Sequence, residues 1–585
     1  MGEENQKLKD EINRLKGEQG KPKIRPQTKD GNISSEKERE EAERDEDATQ
    51  KIGFKFGSKL IDQLKEQQLP IDILDALKRL KGKKYDTEEA FTSAVDSQIG
   101  STLRKKHIDT LLKYARYKKR NRSSKVNEIK VDREEICVMD RKTLPKDARP
   151  NGYSEQVIQD LIIKTDNVKF KREEFYSPSL RKSYLAPLPQ GYEGEYGPSL
   201  NANILAMKYV NNMSIPKILE FLTNFGIQIS SSTISRRFTH HLASFHQEKE
   251  EIYQASLETS LYQQIDDTSS RVNGKNYYTQ IVCNPSCSVF FTTEHKDRFT
   301  ILDILRNFET RGFIFNQETD VLLKKLRVPL KIIQILKEEK QEVIYSEQEI
   351  KKFLNQIFSK YQCSQSSQTK IMEASAIAFY HQEVGQMMVD VLVADDAPQF
   401  KLLTNELMLC WVHEGRHYKR LKPFVFLYQE KLKDFRKQYW EYYKKLSQFK
   451  KSPTLEKKRS LNLEFDQLFS TETGYNDLDD RIAKSKAKKE ELLTVLEHPE
   501  VPLHNNRSEN SARAKKRRQD VSLLLKTKKG VQAEDSMLTF VETAKKLGVS
   551  AYQYIYDRVS KTFELPSLAK LIRLKNSSPQ NLETG

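Results

Sequence analysis

Cysteine is scarce in this chain: five in 585 residues, at Cys137, Cys283, Cys287, Cys363 and Cys410, scattered and odd in number. That disfavours a disulfide framework and fits a reducing, cytoplasmic setting. Cys283 and Cys287 are close in sequence, but no second pair completes the four ligands of a closed zinc site. Long apolar runs are missing too. Val391–Ala394 and Phe424–Tyr428 are short and bounded by charged or polar residues, far from the ~18 apolar residues of a membrane span. The first sixteen residues are charged throughout with no apolar core, so no secretory signal is expected there.

What is abundant is positive charge. There are 100 Lys and Arg against 83 Asp and Glu, a formal net charge of +17. The excess favours a polyanionic partner, most simply nucleic acid. Mean hydropathy is −0.73 and 37% of residues are hydrophobic, so long solvated helices or flexible arms are expected. The length allows about three or four domains at roughly 100–200 residues each.

Leu8, Ile12 and Leu15 have the 4–3 spacing of a short oligomerisation coil. With the Pro-, Gly- and charge-rich stretch that follows, residues 1–50 read as a coil and flexible charged arm. Residues 51–130 read as a helical basic DNA-binding region. Ile71, Leu74, Leu77 and Leu80 form one stripe; Leu103, Ile108, Leu111, Leu112 and Ala115 form another, ending in Arg116, Lys118, Lys119, Arg120 and Arg122. In 131–195, the runs Val157–Ile163 and Val168–Phe170 predict a small strand-rich module.

Residues 196–250 outline a helix-turn-helix. Ser214 and Pro216 open the first helix, Gly226 stops it, and Ser231 or Ser232 caps a second carrying Arg236 and Arg237. An ordinary αα-hairpin satisfies the same pattern. Residues 531–585 read as a helical tail.

Two expected strands end in acid: Leu261–Ile265 runs into Asp266-Asp267, and Met387–Val393 leads to Asp395-Asp396. Asn273-Gly274 marks a hairpin turn between the first strand and the β-rich runs Tyr277–Cys283 and Ser288–Thr293; Leu407–Val412 is a candidate neighbour of the second acidic strand. A helix beginning near Asn505 carries a third acid, Glu509. The separations, 395 − 266 = 129 and 509 − 395 = 114 residues, leave it to the fold to bring them together. Three carboxylates suit two hard Mg²⁺ (or Mn²⁺) ions, about 3.5–4 Å apart, for in-line phosphoryl transfer. Asp at strand ends also caps turns and helices, and spacing alone leaves that alternative open. Arg513, Lys515, Lys516, Arg517 and Arg518 follow Glu509 closely, suited either to gripping a DNA backbone or to forming a solvated basic face.

The local wording goes further. Ile265-Asp266-Asp267-Thr268 with Arg271-Val272-Asn273-Gly274-Lys275, Val393-Ala394-Asp395-Asp396-Ala397-Pro398-Gln399-Phe400, and Val501-Pro502-Leu503-His504-Asn505-Asn506-Arg507-Ser508-Glu509 resemble bacterial DDE transposases. The closest resemblance is to the insertion-sequence sixty-six family. Asp267 stands where that family usually has Glu. Asp396, Ala397 and Phe400 depart from its Asp-Gly-Tyr-x-x-Tyr, and its Pro-Leu-x-Asn-Asn-x-x-Glu is kept. The resemblance spans roughly residues 130–530. It implies Asp266, Asp395 and Glu509 as catalytic, metal-binding acids, Asp267 and Asp396 as adjacent decoys, Arg271 on DNA and Asn506 in support. Cys410 to His413 looks like the family's Cys-x-x-His motif; two ligands are too few for zinc, so a buried Cys with a hydrogen-bonded His is expected, with His413 and Arg416 bracing the site or touching phosphate.

The implied fold is α/β: a ribonuclease-H-like mixed sheet over 251–530, with helical insertions near 300–375 and 426–497 and N-terminal helical DNA-binding modules. The implied activity is metal-dependent cleavage and strand transfer of transposon-end DNA. Double-stranded DNA, both ends and target, would be the partner, and a homodimer or higher oligomer the active form. Two rivals share the basic charge: a DNA-binding protein with an inert core, and a metal-dependent nuclease that cuts without joining. Retention of all three acids argues against the first.

Overall fold

The computed structural model describes residues 52–55, 71–80, 83–85, 88–99, 112, 115–118 and 131–577, except 146–148, 150–152, 154–155, 241, 339–341, 360, 383–388 and 523–524. The expected N-terminal coil and arm, and most of the second apolar stripe, lie outside these residues. The chain divides into two units, Met1–Ile162 and Ile163–Gly585.

In the first unit, strand Ile52–Lys55 pairs antiparallel with Lys84–Tyr85 and with Arg116–Lys118. Helices Ile71–Lys78 and Glu88–Ile99 accompany a small core of Leu77, Leu80, Phe91, Val95 and Ala115. The region is therefore mixed rather than purely helical. Arg116–Lys118 is a strand because Arg116 and Lys118 face Phe54 and Ile52 across a ladder. The predicted strand-rich module also differs. Val157–Ile163 and Val168–Phe170 form no strand, and Ile158, Leu161 and Ile162 are exposed. An apolar run with no neighbouring strand has neither a ladder nor a face to bury. Between residues 131 and 195, in the second unit, Glu174–Ser177 pairs with Lys182–Leu185.

The second unit opens with α1 (Pro198–Tyr209), α2 (Ile215–Asn224), α3 (Ser231–Arg237) and α4 (Ala243–Thr259). Ser230, one residue before the expected caps, accepts the Thr233 amide at 3.1 Å to start α3. Ile218, Leu222 and Ile234 anchor α2 and α3 in the main core.

Next come β1 (Tyr262–Val272), β2 (Lys275–Cys283) and β3 (Ser288–Thr293), consecutive and antiparallel. Asn273 and Gly274 turn the first hairpin with φ of 47° and 80°, the left-handed pair that such a turn requires. After α5 (Arg298–Leu305), inserted helices Gln317–Lys325, Leu330–Glu338 and Glu347–Phe358, and α6 (Gln365–Gln382), strand β4 (Val391–Ala394) returns parallel to β1. β5 (Glu406–Leu409) is parallel to β4. The order β5-β4-β1-β2-β3 is a mixed sheet that fits a ribonuclease-H-like core. Asp266 lies within β1 rather than at its end, because the ladder with β2 continues to the turn.

The stretch 426–497 is several helices. α7 (Trp411–Arg420) leads into α8 (Phe426–Lys451), α9 (Leu455–Leu468) and α10 (Asn476–Lys486). Pro453 cannot extend α8, and Thr454 caps α9 by accepting the Lys457 amide. Trp411 packs among Tyr439, Tyr442, Phe465 and Phe469 at the centre of this subdomain.

Finally α11 (Asn506–Val521) is followed by α12 (Lys528–Lys546), α13 (Ala551–Ser560) and α14 (Leu568–Ser577). These last helices belong to the core and are not a tail. Leu538 of α12 packs with Ile281 and Phe290 of the sheet, and Tyr554, Leu568 and Ile572 join the main core.

Candidate active site

Neighbouring residues of a strand point to opposite faces, and the acidic pair in β1 is sorted by that rule. Asp267 turns to a cation, with Lys296 Nζ 3.1 Å from its carboxylate. Asp266 shares its face with Ile281, which packs against Leu538 of α12 and Ala512 of α11. β1 and β4 pair with a constant offset: Val391 opposes Tyr262 and Val393 opposes Gln264, each 129 residues apart. That offset also separates Asp395 from Asp266. The ladder ends at Val393 and Gln264, two residues before each acid, and β4 itself ends at Ala394, so the register directs Asp266 and Asp395 to the same edge of the sheet. Asp396 is sorted as Asp267 is: Lys401 (2.6 Å) and Lys488 pair with it and hold its carboxyl below the ordinary range against the opposing effect of burial.

Glu509 reaches this edge from α11. Asn505, the N-cap of that helix, is wholly buried and donates its side-chain amide to the Ile265 carbonyl at 2.7 Å. Its backbone N–H donates to Cys410 Sγ at 3.3 Å, and Cys410 N–H in turn donates to the Ala394 carbonyl at 3.0 Å. The residues before Asp266 and Asp395 are thus linked through Asn505 and Cys410. Cys410 is buried. Asn506, expected in support, is buried beside it, and the bonds to Ile265 and Cys410 come from Asn505. The doubled Asn-Asn was the available signal, and residue type alone does not say which of the two reaches the strand.

The electrostatics follow from this packing. Burial raises the Asp266 carboxyl to about 7, with Glu509 and Asp395 adding to the shift and His413 opposing it. Among the described residues neither Asp266 nor Asp395 has an ion-pair partner within 4 Å. Glu509 does: Arg416 Nη2 lies 3.2 Å from both of its oxygens, and His413 Nε2 lies 3.6 Å from one. Burial alone would lower His413, yet Cys410, Glu509 and Asp395 together raise it to about 9, so it carries charge at neutral pH. Gly415, between these two side chains, admits α8: a Cβ there would sit 2.9 Å from Trp440 Cζ2.

The donors are the hard oxygens a divalent cation prefers, and a cation would relieve the like-charge burden on Asp266. As arranged here, with Glu509 held by Arg416, no group of three or more His, Cys, Asp or Glu side chains among the described residues is close enough to hold a metal ion. The donor set fits such an ion in kind, and Glu509 is engaged by Arg416 and His413.

The basic residues separate into two sets. Arg513 and Arg517 are exposed on α11, and Lys516 donates to the Ser269 carbonyl at 2.7 Å. Arg236 and Arg271 are exposed, and Arg237 lies over the Tyr196 ring. Lys515 and Arg518 depart from the DNA-contact expectation. Both side chains are fully buried, Lys515 on Glu534 at 2.6 Å and Arg518 beside the same carboxylate at 3.8 Å. They occupy the inward face of α11, every third residue of the run, and serve the fold.

The Transposase IS66 family model matches residues 193–316 and 345–533, more than half of the chain. The chain belongs to this family. It is also 28% identical over 330 residues to the uncharacterized protein y4jO of Sinorhizobium fredii (strain NBRC 101917 / NGR234); the alignment spans 55% of this chain and 99% of that protein. The break in the IS66 match, 317–344, contains the helices Gln317–Lys325 and Leu330–Glu338, and narrows the insertion expected near 300–375. Membership carries a transposase-type function on DNA. Among the described residues no helix is long and apolar enough to cross a membrane.

Proposed function

We propose that this IS66-family chain is a DDE-type transposase that cleaves transposon-end DNA and joins it to a target, with Asp266, Asp395 and Glu509 as its catalytic acids. The observation that carries the reading is the shared offset of 129 residues between the β1/β4 ladder and the two aspartates, with Glu509 brought over the same edge by the Asn505 bridge.

Asp266 would act from β1, Asp395 from the residue just past β4, and Glu509 from the first turn of α11. Two Mg²⁺ or Mn²⁺ ions bound by these three acids would activate the attacking hydroxyl and stabilise the departing oxygen. Arg416 and protonated His413 place positive charge beside the acids, where a phosphodiester's anionic oxygens would lie. Arg513, Lys516 and Arg517 hold the DNA backbone along the outer face of α11, and Arg271 extends that contact beside the hairpin. Arg236 and Arg237 of α3 are the candidates for reading a groove, with α2 and α3 acting as a helix-turn-helix. In the first reaction water attacks the end phosphodiester, the bond to the 3′ oxygen breaks, and a 3′-hydroxyl is freed. That hydroxyl then attacks a target phosphodiester, forming one P–O bond as another breaks. Two DNA ends must be handled together, so a dimer or higher oligomer on DNA is part of the proposal.

The test is a reaction of purified chain with DNA carrying the element's ends, with and without Mg²⁺ or Mn²⁺. Metal-dependent nicks that leave 3′-hydroxyls, followed by joined products, are expected. Nicks without joining would indicate a nuclease. Binding with no cleavage under any metal would indicate an inert core, and either result overturns the assignment.

A further inference from the structure

Most large apolar side chains of the catalytic unit are buried, but four consecutive ones are not. Phe424 is 97% exposed, and Val425, Phe426 and Leu427 are exposed beside it. They form a tip that runs from the connection after α7 into the first turn of α8. The tip is held in shape: Gln429 Nε2 donates to the Pro423 carbonyl at 3.1 Å, Tyr428 N–H donates to the Val425 carbonyl at 3.0 Å, and the Tyr428 ring stacks on Tyr475 at 5.0 Å and 14°. A preorganised, solvent-facing aromatic tip is a device for contact with something outside the unit.

Its surroundings name the partner's chemistry. Lys419, Arg420 and Lys422 precede the tip and Lys431 and Lys433 follow it, against Glu430 and Asp434. Lys431 turns to the Thr473 carbonyl and Lys433 pairs with Glu430, which leaves Arg420 and Lys422 exposed just before the tip. A polyanion with stackable faces matches both features. The tip also continues from the site itself. Arg416, which holds Glu509, sits one helical turn before Arg420, about 6 Å at 1.5 Å per residue. Four further residues carry the chain at most about 14 Å more. Phe424 therefore lies within roughly 20 Å of Arg416, a span of about six base-pair steps.

We infer that the Phe424–Leu427 tip is a wedge that takes an unstacked DNA base near the cleaved phosphodiester, with Arg420 and Lys422 on the flanking phosphates. The inference rests on the transposase reading for its partner, but not on which residues perform the chemistry. Proteins that work on a duplex end gain by capturing bases that the stack releases, and an apolar wedge both opens the step and covers the exposed base.

The full chain is titrated with a blunt duplex and with the same duplex carrying an unpaired 3′ end and 2-aminopurine at the junction. The wild type is expected to prefer the forked DNA and to brighten the 2-aminopurine. Phe424→Ala and the double variant Phe424→Ala/Phe426→Ala should lose roughly tenfold or more of that preference while keeping their affinity for the blunt duplex. Unchanged preference and brightening in the variants would overturn the wedge and leave the catalytic assignment standing. So would variants that dissociate a DNA-free oligomer without changing the junction signal, since the tip would then belong to a second copy of the chain. Failure of the wild type to bind either duplex would remove the wedge together with the transposase reading.

Discussion

Asn505 donates its side-chain amide to the Ile265 carbonyl across 2.7 Å, joining the start of α11 to the strand residue that precedes Asp266. Its backbone carbonyl accepts the Glu509 amide at 3.1 Å, so one buried residue ties the strand before the first acid to the helix turn that carries the third. Asn505→Ala leaves a buried carbonyl without its donor, at a cost of about 1–3 kcal/mol. Thermal unfolding should show that loss, and cleavage measured where the variant remains folded should fall further than stability does. Asn506→Ala should affect cleavage less; equal losses for the two would contradict the role given to Asn505.

Arg416 and Glu509 form a contact that DNA and metal would have to undo. With Arg416→Gln, the DNA-free chain should bind Mn²⁺ more tightly in calorimetry, because Glu509 loses the Arg416 guanidinium at 3.2 Å and keeps His413 at 3.6 Å. The same variant should bind DNA more weakly, with its salt slope reduced by about one. Unchanged or weaker Mn²⁺ binding would show that Arg416 does not compete for the acid.

The raised Asp266 carboxyl gives a dependence on pH. The folded state holds a proton up to about 7, against an ordinary value of 3.8, so folding is favoured below the ordinary value and loses that stabilisation as pH rises towards 7. Asp266→Asn, neutral throughout, should therefore become more stable than the metal-free wild type as pH climbs from about 4 to about 7, then keep a constant advantage. Melting temperatures across that range test this. A difference that does not vary with pH would remove the desolvated acid from the account.

How the basic run of α11 divides is also measurable. Lys515→Ala removes the closest cation from buried Glu534, leaving Arg518 at 3.8 Å, and should cost about 3–5 kcal/mol. Arg513→Ala and Arg517→Ala, at exposed positions, should leave stability nearly unchanged and weaken DNA binding at low salt. DNA binding impaired by Lys515→Ala at conditions where it is fully folded would return that residue to the interface.

The strands that lead to Asp266 and Asp395 were legible because their signals are local. Asn-Gly fixed the hairpin, and short apolar runs ending in acid located β1 and β4. What was not legible depends on partners distant in sequence. Whether Asp266 ends a strand or lies within one depends on how far β2 continues beside it. Whether Lys515 meets DNA or Glu534 depends on α12 covering one face of α11. The apolar runs near 157–170 look like strands in isolation, and no neighbouring strand completes them. The C-terminal helices looked like a tail because their contacts are with a sheet formed 250 residues earlier, as in the hydrogen bond from Phe290 N–H to Thr539.

The most direct test uses each acid beside its decoy. Strand transfer of element-end DNA is measured for Asp266→Ala, Asp395→Ala and Glu509→Ala, and in parallel for Asp267→Ala and Asp396→Ala. The account predicts no joined product from the first three and retained joining from the last two, whose carboxylates are paired with Lys296, and with Lys401 and Lys488. Wild-type joining by any of the first three, or equal loss from the decoys, would contradict it.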